Sequence, residues 1–160
     1  KSAYLKGVPI WVPAFVDSEI GNDVCVHNRD RVRQGRRRII MDVELDSLRL
    51  VEMATNAKKT GIFSIGGGVP RNNIQNVAPL IEITNGRLGT NLPQRMFSYG
   101  CRIAPDALWH GHLSGCSYRE GGSWRKMDLV HGKFAEIKGD ATLTWPFILK
   151  AVMEELRLCA

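Results

Sequence analysis

Apolar residues in this chain come in short continuous blocks separated by glycine, proline and charge. Pro9 to Val16 is such a block, ending at Asp17. A continuous pattern suits a strand covered on both faces, which would set Asp17 at its carboxyl end. Arg38 to Asp42 is a second, weaker apolar run. From Val43 to Lys58 the pattern changes: Leu50, Met53, Ala54 and Ala57 fall at i, i+3, i+4, i+7, the spacing of an amphipathic helix that Asp42 can cap. Thr60 to Ile65 reads as a buried strand, Gly66 to Gly68 as a tight turn, and Arg71 to Thr84 as a helix with Pro70 near its first turn. Asn85 to Gln94 is a loop or insertion poor in apolar residues. Arg95 to Ile103 is predicted to be a strand and Phe134 to Lys138 a last short one. A closing helix runs from about Thr142 to Leu158, with Trp145, Leu149, Val152 and Leu156 as its apolar stripe. Neither an internal repeat nor a low-complexity segment interrupts this order.

Strand, helix, strand, glycines, helix is the grammar of a mostly parallel sheet with crossover helices. The expected class is α/β, and ligands of such sheets sit beyond the carboxyl ends of the strands. At 160 residues with 44% apolar content, one compact domain spanning residues 1–160 is the default. No run approaches the roughly 20 apolar residues that cross a bilayer, and the start, Lys1 to Lys6, lacks the apolar core of a signal peptide. A cytoplasmic location without membrane association is expected. Cys25, Cys101, Cys116 and Cys159 form no CxxC pair, which favours reduced thiols over a zinc ribbon or a disulfide framework.

The net charge of +6 is partly local, because Arg29, Arg31, Arg33, Arg36, Arg37 and Arg38 fall within ten residues. Such a run binds phosphate or nucleic acid, or is a solvated loop or a subunit contact. No aromatic residues interleave with it to stack on bases, so no nucleic-acid partner is expected.

Glu120-Gly-Gly-Ser-Trp-Arg-Lys126 sets a lysine just after a tryptophan and six residues after a carboxylate. An ε-amine is a nucleophile only without its extra proton, and a partly dry aromatic pocket disfavours the ammonium form. Lys126 is therefore a candidate imine former; in a glycine-rich loop it can equally be a solvated surface charge. Glu120 can hold a cationic group by a charge-assisted hydrogen bond, and Trp124 can lie along an alkyl chain or take a cation on its ring. Three glycines after a strand let a backbone approach a pyrophosphate or sugar, or simply make a tight turn. Asp17 can accept both hydroxyls of a ribose, or cap a helix over Ser18 to Val26. His110, His112 and Cys116 form an H-x-H-x₃-C cluster with no fourth metal ligand nearby. No metal is expected, and both histidines are read as polar lining of a substrate pocket or as proton carriers.

The segment from Ser114 to Lys126, with Gly66 to Pro70 upstream and Gly139 to Thr142 downstream, resembles the deoxyhypusine synthase family, in particular its bacterial deoxyhypusine synthase-like and homospermidine synthase-like branch. The resemblance runs from the Pro9 block to the last helix and corresponds to about the C-terminal half of a complete member. It implies a Rossmann-like three-layer α/β/α fold with a mostly parallel sheet, here partial. It also implies NAD as cofactor, contacted by Asp17, Gly67, Gly68, Ser114, Asp140 and Ala141; Asp140 can serve as a helix N-cap at the same time. Lys126 matches the catalytic lysine, and Glu120 and Trp124 match positions lining the amine channel. Asn22 stands where the family has a second, amine-binding aspartate, and Asn73 where it has a polyamine-binding histidine. Between Ala104 and Leu113 the family's acidic contacts give way to Pro105-Asp106-Ala-Leu-Trp109-His110-Gly-His112.

The activity implied is aminobutyl transfer. NAD takes hydride from a carbon beside a polyamine nitrogen, Lys126 attacks the resulting imine and releases a small diamine, and the aminobutyl group passes to an acceptor amine as the hydride returns. The donor is spermidine or putrescine. The acceptor is a diamine such as putrescine or a lysine of a translation initiation factor. A homotetramer, or association with a chain supplying the missing N-terminal half, is expected. The lost acidic contacts also fit a catalytically silent or regulatory subunit.

Overall fold

The computed structural model describes residues 1–158, so Cys159 lies outside the described residues. The chain gathers into two compact units, Lys1–Leu50 and Val51–Ala160.

In the first unit a short helix α1 (Ser2–Leu5) leads to a 3-10 turn at Phe15–Asp17 and then to α2 (Glu19–Arg33). The strand expected over Pro9 to Val16 is absent. Pro9 and Pro13 lack the N–H that a ladder needs, and their block ends in the turn that contains Asp17. Asp17 therefore does not sit at a strand's end, nor does it cap the helix. Ser18 is the cap, its Oγ accepting from Gly21 N–H at 3.1 Å. Asp42 starts α3 (Val43–Asn56) as the spacing predicts, Oδ1 accepting from Glu44 N–H at 3.0 Å.

The second unit is built on a three-stranded, all-parallel sheet in the order β1 (Gly61–Ile65), β2 (Tyr99–Ala104), β3 (Lys133–Lys138). This is the α/β, Rossmann-like arrangement in partial form. Between β1 and β2 the chain forms α4 (Gly68–Gln75) and α5 (Val77–Leu88), where one helix over Arg71 to Thr84 is predicted. Pro79 explains the break at Asn76: it has no N–H to give the Gln75 carbonyl one turn back. Asn85 to Leu88 continue α5 rather than opening the loop, and Gly89 ends it in the left-handed conformation at φ 65°. Between β2 and β3 lie 3-10 turns at Leu108–His110 and Leu113–Gly115 and the short α6 (Tyr118–Gly122); α7 (Ala141–Glu155) follows β3.

Register assigns the two faces of the sheet. Phe63, Cys101 and Ala135 are aligned across the strands, and the Phe63 ring meets Trp145 of α7 with centroids 4.9 Å apart. Ser64, Arg102 and Glu136 align one step along and point to the opposite face. On that second face Tyr118 of α6 lies against Phe134, with centroids 5.2 Å apart. Helices thus cover both faces, unequally: Phe63 and Ile65 remain 45% and 51% exposed, so β1 is less buried than its composition predicts. The α7 stripe is likewise only partly used. Trp145 packs on the sheet, while Leu149, Val152 and Leu156 are exposed because the sheet supplies partners mainly to the first half of the helix.

The core gathers on Ala78, Ile81, Ile103, Tyr118 and Met127, all nearly inaccessible. Gly100 lies beneath two rings: a Cβ there would come within 2.8 Å of both Phe134 Cδ1 and Tyr118 Cζ. Gly100→Val is expected to lower unfolding stability by about 1–3 kcal/mol through overpacking, measured by urea denaturation. An unchanged midpoint would mean that the rings do not close over this position.

Candidate active site

Parallel strands bring their carboxyl ends to one edge, and the connections leaving that edge build the site. The turn Gly66–Gly68 leaves β1, the 105–117 connection leaves β2, and Gly139 and Asp140 leave β3. Gly66 N–H donates to Ile103 O at 2.7 Å and Gly139 N–H to Ala104 O at 3.2 Å, tying the outer connections to the central strand.

The middle connection is held by two buried arginines. Arg71 of α4 donates through Nη2 to Leu113 O (2.9 Å) and Cys116 O (2.8 Å). Arg102 of β2 donates through Nη1 to Ser114 O (2.9 Å) and Cys116 O (2.7 Å), and its Nη2 pairs with Glu136 Oε2 at 3.2 Å. The other Glu136 oxygen accepts from Tyr118 N–H at 2.5 Å. Burial, and then the neighbouring Arg102 charge, lower the proton affinity of Arg71. Backbone carbonyls therefore do most of the work of solvating two adjacent guanidiniums.

Beyond this clamp the chain forms α6 and the loop that carries Lys126. Gly122 packs against Leu129, where a Cβ would collide with the leucine side chain. Gly121 O accepts from both Trp124 N–H (3.3 Å) and Lys126 N–H (3.1 Å), winding the loop tightly. Arg125 takes a left-handed φ of 52°, unusual for a residue with a side chain, and its guanidinium pairs with Glu82 at 3.1 Å. The Lys126 carbonyl then accepts from Phe97 N–H at 2.9 Å, fixing the loop to the flank of the sheet.

The Lys126 side chain turns inward. Its Nζ donates to Asn72 Oδ1 at 2.7 Å and lies 5.9 Å from the Trp124 ring centre. Burial lowers its proton affinity; the nearby Cys116 opposes this and Arg71 adds to it. A cleft of about 490 Å³ opens here, lined by Lys126, Trp124, Glu120, Cys116, Asn72 and Arg71 among others. Cys116 Sγ donates to Glu120 Oε2 at 2.5 Å. Burial and that bond push the thiol's pKa up, so Cys116 serves as a protonated donor.

Lys126, Trp124 and Glu120 thus share one cleft. Asn73 is not among its lining residues; its neighbour Asn72, one turn into α4 from Gly68, is the residue that meets the lysine. His110 and His112 lie on the middle connection with ring centres 5.5 Å apart. His112 Nδ1 accepts from Gly115 N–H (3.2 Å) and lies 2.8 Å from Ser114 Oγ, leaving Nε2 toward Asp106 at 3.6 Å. Among the described residues, no three His, Cys, Asp or Glu side chains gather as a metal set.

Gly67, Gly68, Ser114, Asp140 and Ala141 all follow strand ends at the common edge. Gly67 is packed on Ser114, whereas Gly66 and Gly68, at φ 77° and 71°, have nothing within 4 Å of where a Cβ would stand. That open backbone, the first turn of α4 and the carboxylate at the start of α7 suit the phosphates and sugar of a dinucleotide. Asp140 caps α7, accepting from Thr142 N–H at 2.7 Å; hydrogen bonding with Thr142 holds its carboxyl below the ordinary range. Asp17 and Asn22 belong to the first unit, where Asn22 is exposed in the opening turn of α2.

Sequence reasoning missed Arg71, Asn72 and Arg102, and placed Cys116 only in a histidine–cysteine cluster and not beside Glu120. Helical phase held a signal for the second, since Asn72 is one turn from Gly68. An arginine inside the apolar run of β2 was the signal for Arg102.

The deoxyhypusine synthase family model matches residues 1–152. The chain is 33% identical over 147 residues to the probable deoxyhypusine synthase 2 of Archaeoglobus fulgidus, covering 92% of this chain and 44% of that protein. It is also 33% identical to a deoxyhypusine synthase-like protein of Elusimicrobium minutum, covering 92% of this chain and 36% of that protein. The probable deoxyhypusine synthase of Thermococcus kodakarensis is 32% identical, with 95% and 40% covered. The chain therefore spans less than half the length of these relatives. Because the match extends from the first residue into α7, across both units and all three strands, the chain belongs to the deoxyhypusine synthase family.

Proposed function

We propose that this chain carries the lysine-bearing part of an NAD-dependent aminobutyl transferase that moves the group from a polyamine, spermidine or putrescine, to an acceptor amine. The observation that carries this reading is the Lys126 amine, partly buried and held by Asn72 in a cleft that also presents Glu120 and Trp124. NAD supplies a hydride acceptor that later returns what it took. Gly67, Gly68, Ser114, Asp140 and Ala141 would hold it at the strand ends.

Glu120 draws a cationic amine end into the cleft, and Trp124 gives its methylenes an apolar wall. Asn72 orients the Lys126 amine, and burial raises the share of the uncharged form near neutral pH. Lys126 attacks the imine carbon of the oxidised donor; the donor's displaced amine, a small diamine from spermidine or ammonia from putrescine, leaves with the electron pair of the broken C–N bond, and the aminobutyl group stays on Nζ as an imine until an acceptor amine takes it. His112 lines the neighbouring connection and can carry protons. The acceptor is a small diamine or a protein lysine. The remaining length of the relatives would come from another part of the same protein or a partner chain, in a tetramer.

A competing reading is a silent or regulatory subunit. It is favoured by the cleft's charge: among the described residues, Glu120 is the only carboxylate in its lining, beside Arg71 and Lys126. Borohydride trapping with NAD and spermidine or putrescine separates the two. The active reading expects a reduced aminobutyl adduct on Lys126 that disappears in Lys126→Ala, whereas a silent subunit gives no adduct in either protein. Transfer that persists in Lys126→Ala would end the covalent proposal.

A second expectation concerns the proton on Lys126. Its lowered pKa means that the alkaline rise of activity begins at lower pH than for a solvated lysine. Asn72→Asp sets a carboxylate beside Nζ and favours the ammonium. The rising limb should move up by about one pH unit, with a roughly tenfold loss at neutral pH and recovery at high pH. A pH–rate profile that stays in place would remove Asn72 from this role.

A further inference from the structure

The arginine run of the first unit is folded into a groove. Six of the ten residues from Arg29 to Arg38 are arginine and none is lysine. Arg29 and Arg33 stand on successive turns of α2. Gly35, at φ 69°, turns the chain back along the helix. Arg31 Nε donates to Arg37 O at 2.6 Å. Asn28, itself 7% exposed, accepts from Ile39 N–H at 2.7 Å and donates to Ile39 O at 3.0 Å. These bonds set Arg38 across from the helix, and the concavity of about 410 Å³ between them is lined by Cys25, Asn28, Arg29, Val32, Arg33 and Arg38.

Among the described residues, no carboxylate lines this groove. Asp30, the only acid in the run, accepts from Gln34 Nε2 at 2.5 Å, and among the described residues none of the six arginines makes an ion pair. Like charges converging without a counter-charge repel, and an anion between them removes that cost. Guanidinium forks match oxyanions with two parallel bonds, which suits phosphoryl groups better than the scattered single carboxylates of an acidic peptide. An extended nucleic acid fits poorly, since Glu19 to Asp42 contains no Phe, Trp or Tyr to stack on bases.

We propose that the groove between Arg29, Arg33 and Arg38 binds a compact polyphosphate, through two adjacent phosphoryl groups of either a free polyphosphate or a nucleotide's phosphate tail. Isothermal titration calorimetry on the whole chain tests this, with tripolyphosphate and ATP as probes at low and moderate salt. Binding should weaken with added salt, and should fall about tenfold in Arg33→Gln or Arg38→Gln and further in the double variant. These arginines are exposed, so the fold should survive, which circular dichroism checks. Arg119→Gln, an exposed arginine of the second unit, should bind as the parent does. Equal affinity for the two probes assigns recognition to the phosphates alone, and tighter binding of ATP assigns it to a nucleotide; both support the site. Absence of binding to either probe, binding unchanged in the double variant, or tighter binding of polyglutamate or oligouridine would overturn it.

Discussion

Two buried guanidiniums, Arg71 on a helix and Arg102 on the central strand, converge on the carbonyls of Leu113, Ser114 and Cys116, and the site depends on that convergence. A buried charge must be solvated by the protein itself, and here a connecting segment bends its carbonyls inward to do so. The Cys116 carbonyl accepts from both arginines, so drift of the segment would take an acceptor from two buried charges at once. Glu136 offsets part of the charge and, through its second oxygen, receives the start of α6. One polar cluster therefore fixes the position of everything from Leu113 to the helix preceding the lysine loop.

From that anchor the placement of Lys126 follows in short steps. The close fit of Gly122 on Leu129, the left-handed Arg125 and the pairing of Phe97 with Met127 leave the loop little freedom. The amine is delivered to the side of α4, where Asn72 receives it. Arg71, one residue earlier on that helix, grips the middle connection and also disfavours a second positive charge in the cleft. Structural and chemical roles thus meet in one side chain, because a buried cation orders carbonyls and acts on every charge around it.

Much of this was legible in the residue order. The strands at Thr60 and Phe134, the Asp42 and Asp140 caps and the Trp-Arg-Lys loop all rest on local rules of backbone sterics, capping and periodicity, whereas the strand expected from Arg95 begins only at Tyr99, Phe97 making an isolated bridge to Met127 before it. The failures were of other kinds. Pro9 to Val16 has a strand's composition, but prolines withhold ladder donors, and apolarity alone does not supply a neighbouring strand. Pro79 divided a helix whose apolar pattern ran on without interruption. Ser18 displaced Asp17 as the cap because the preceding residues form a 3-10 turn, which no apolar pattern announces.

The sequence by itself determined the class of fold, the candidate nucleophile and the family, because each is carried by residue types at short spacings. Tertiary structure alone decided which asparagine meets Lys126, that Cys116 donates to Glu120, and that two arginines far apart in sequence share one carbonyl. Such pairings depend on how strands register and helices are phased across gaps of tens of residues. Register is set by the packing of the whole sheet, which no short stretch of the chain encodes.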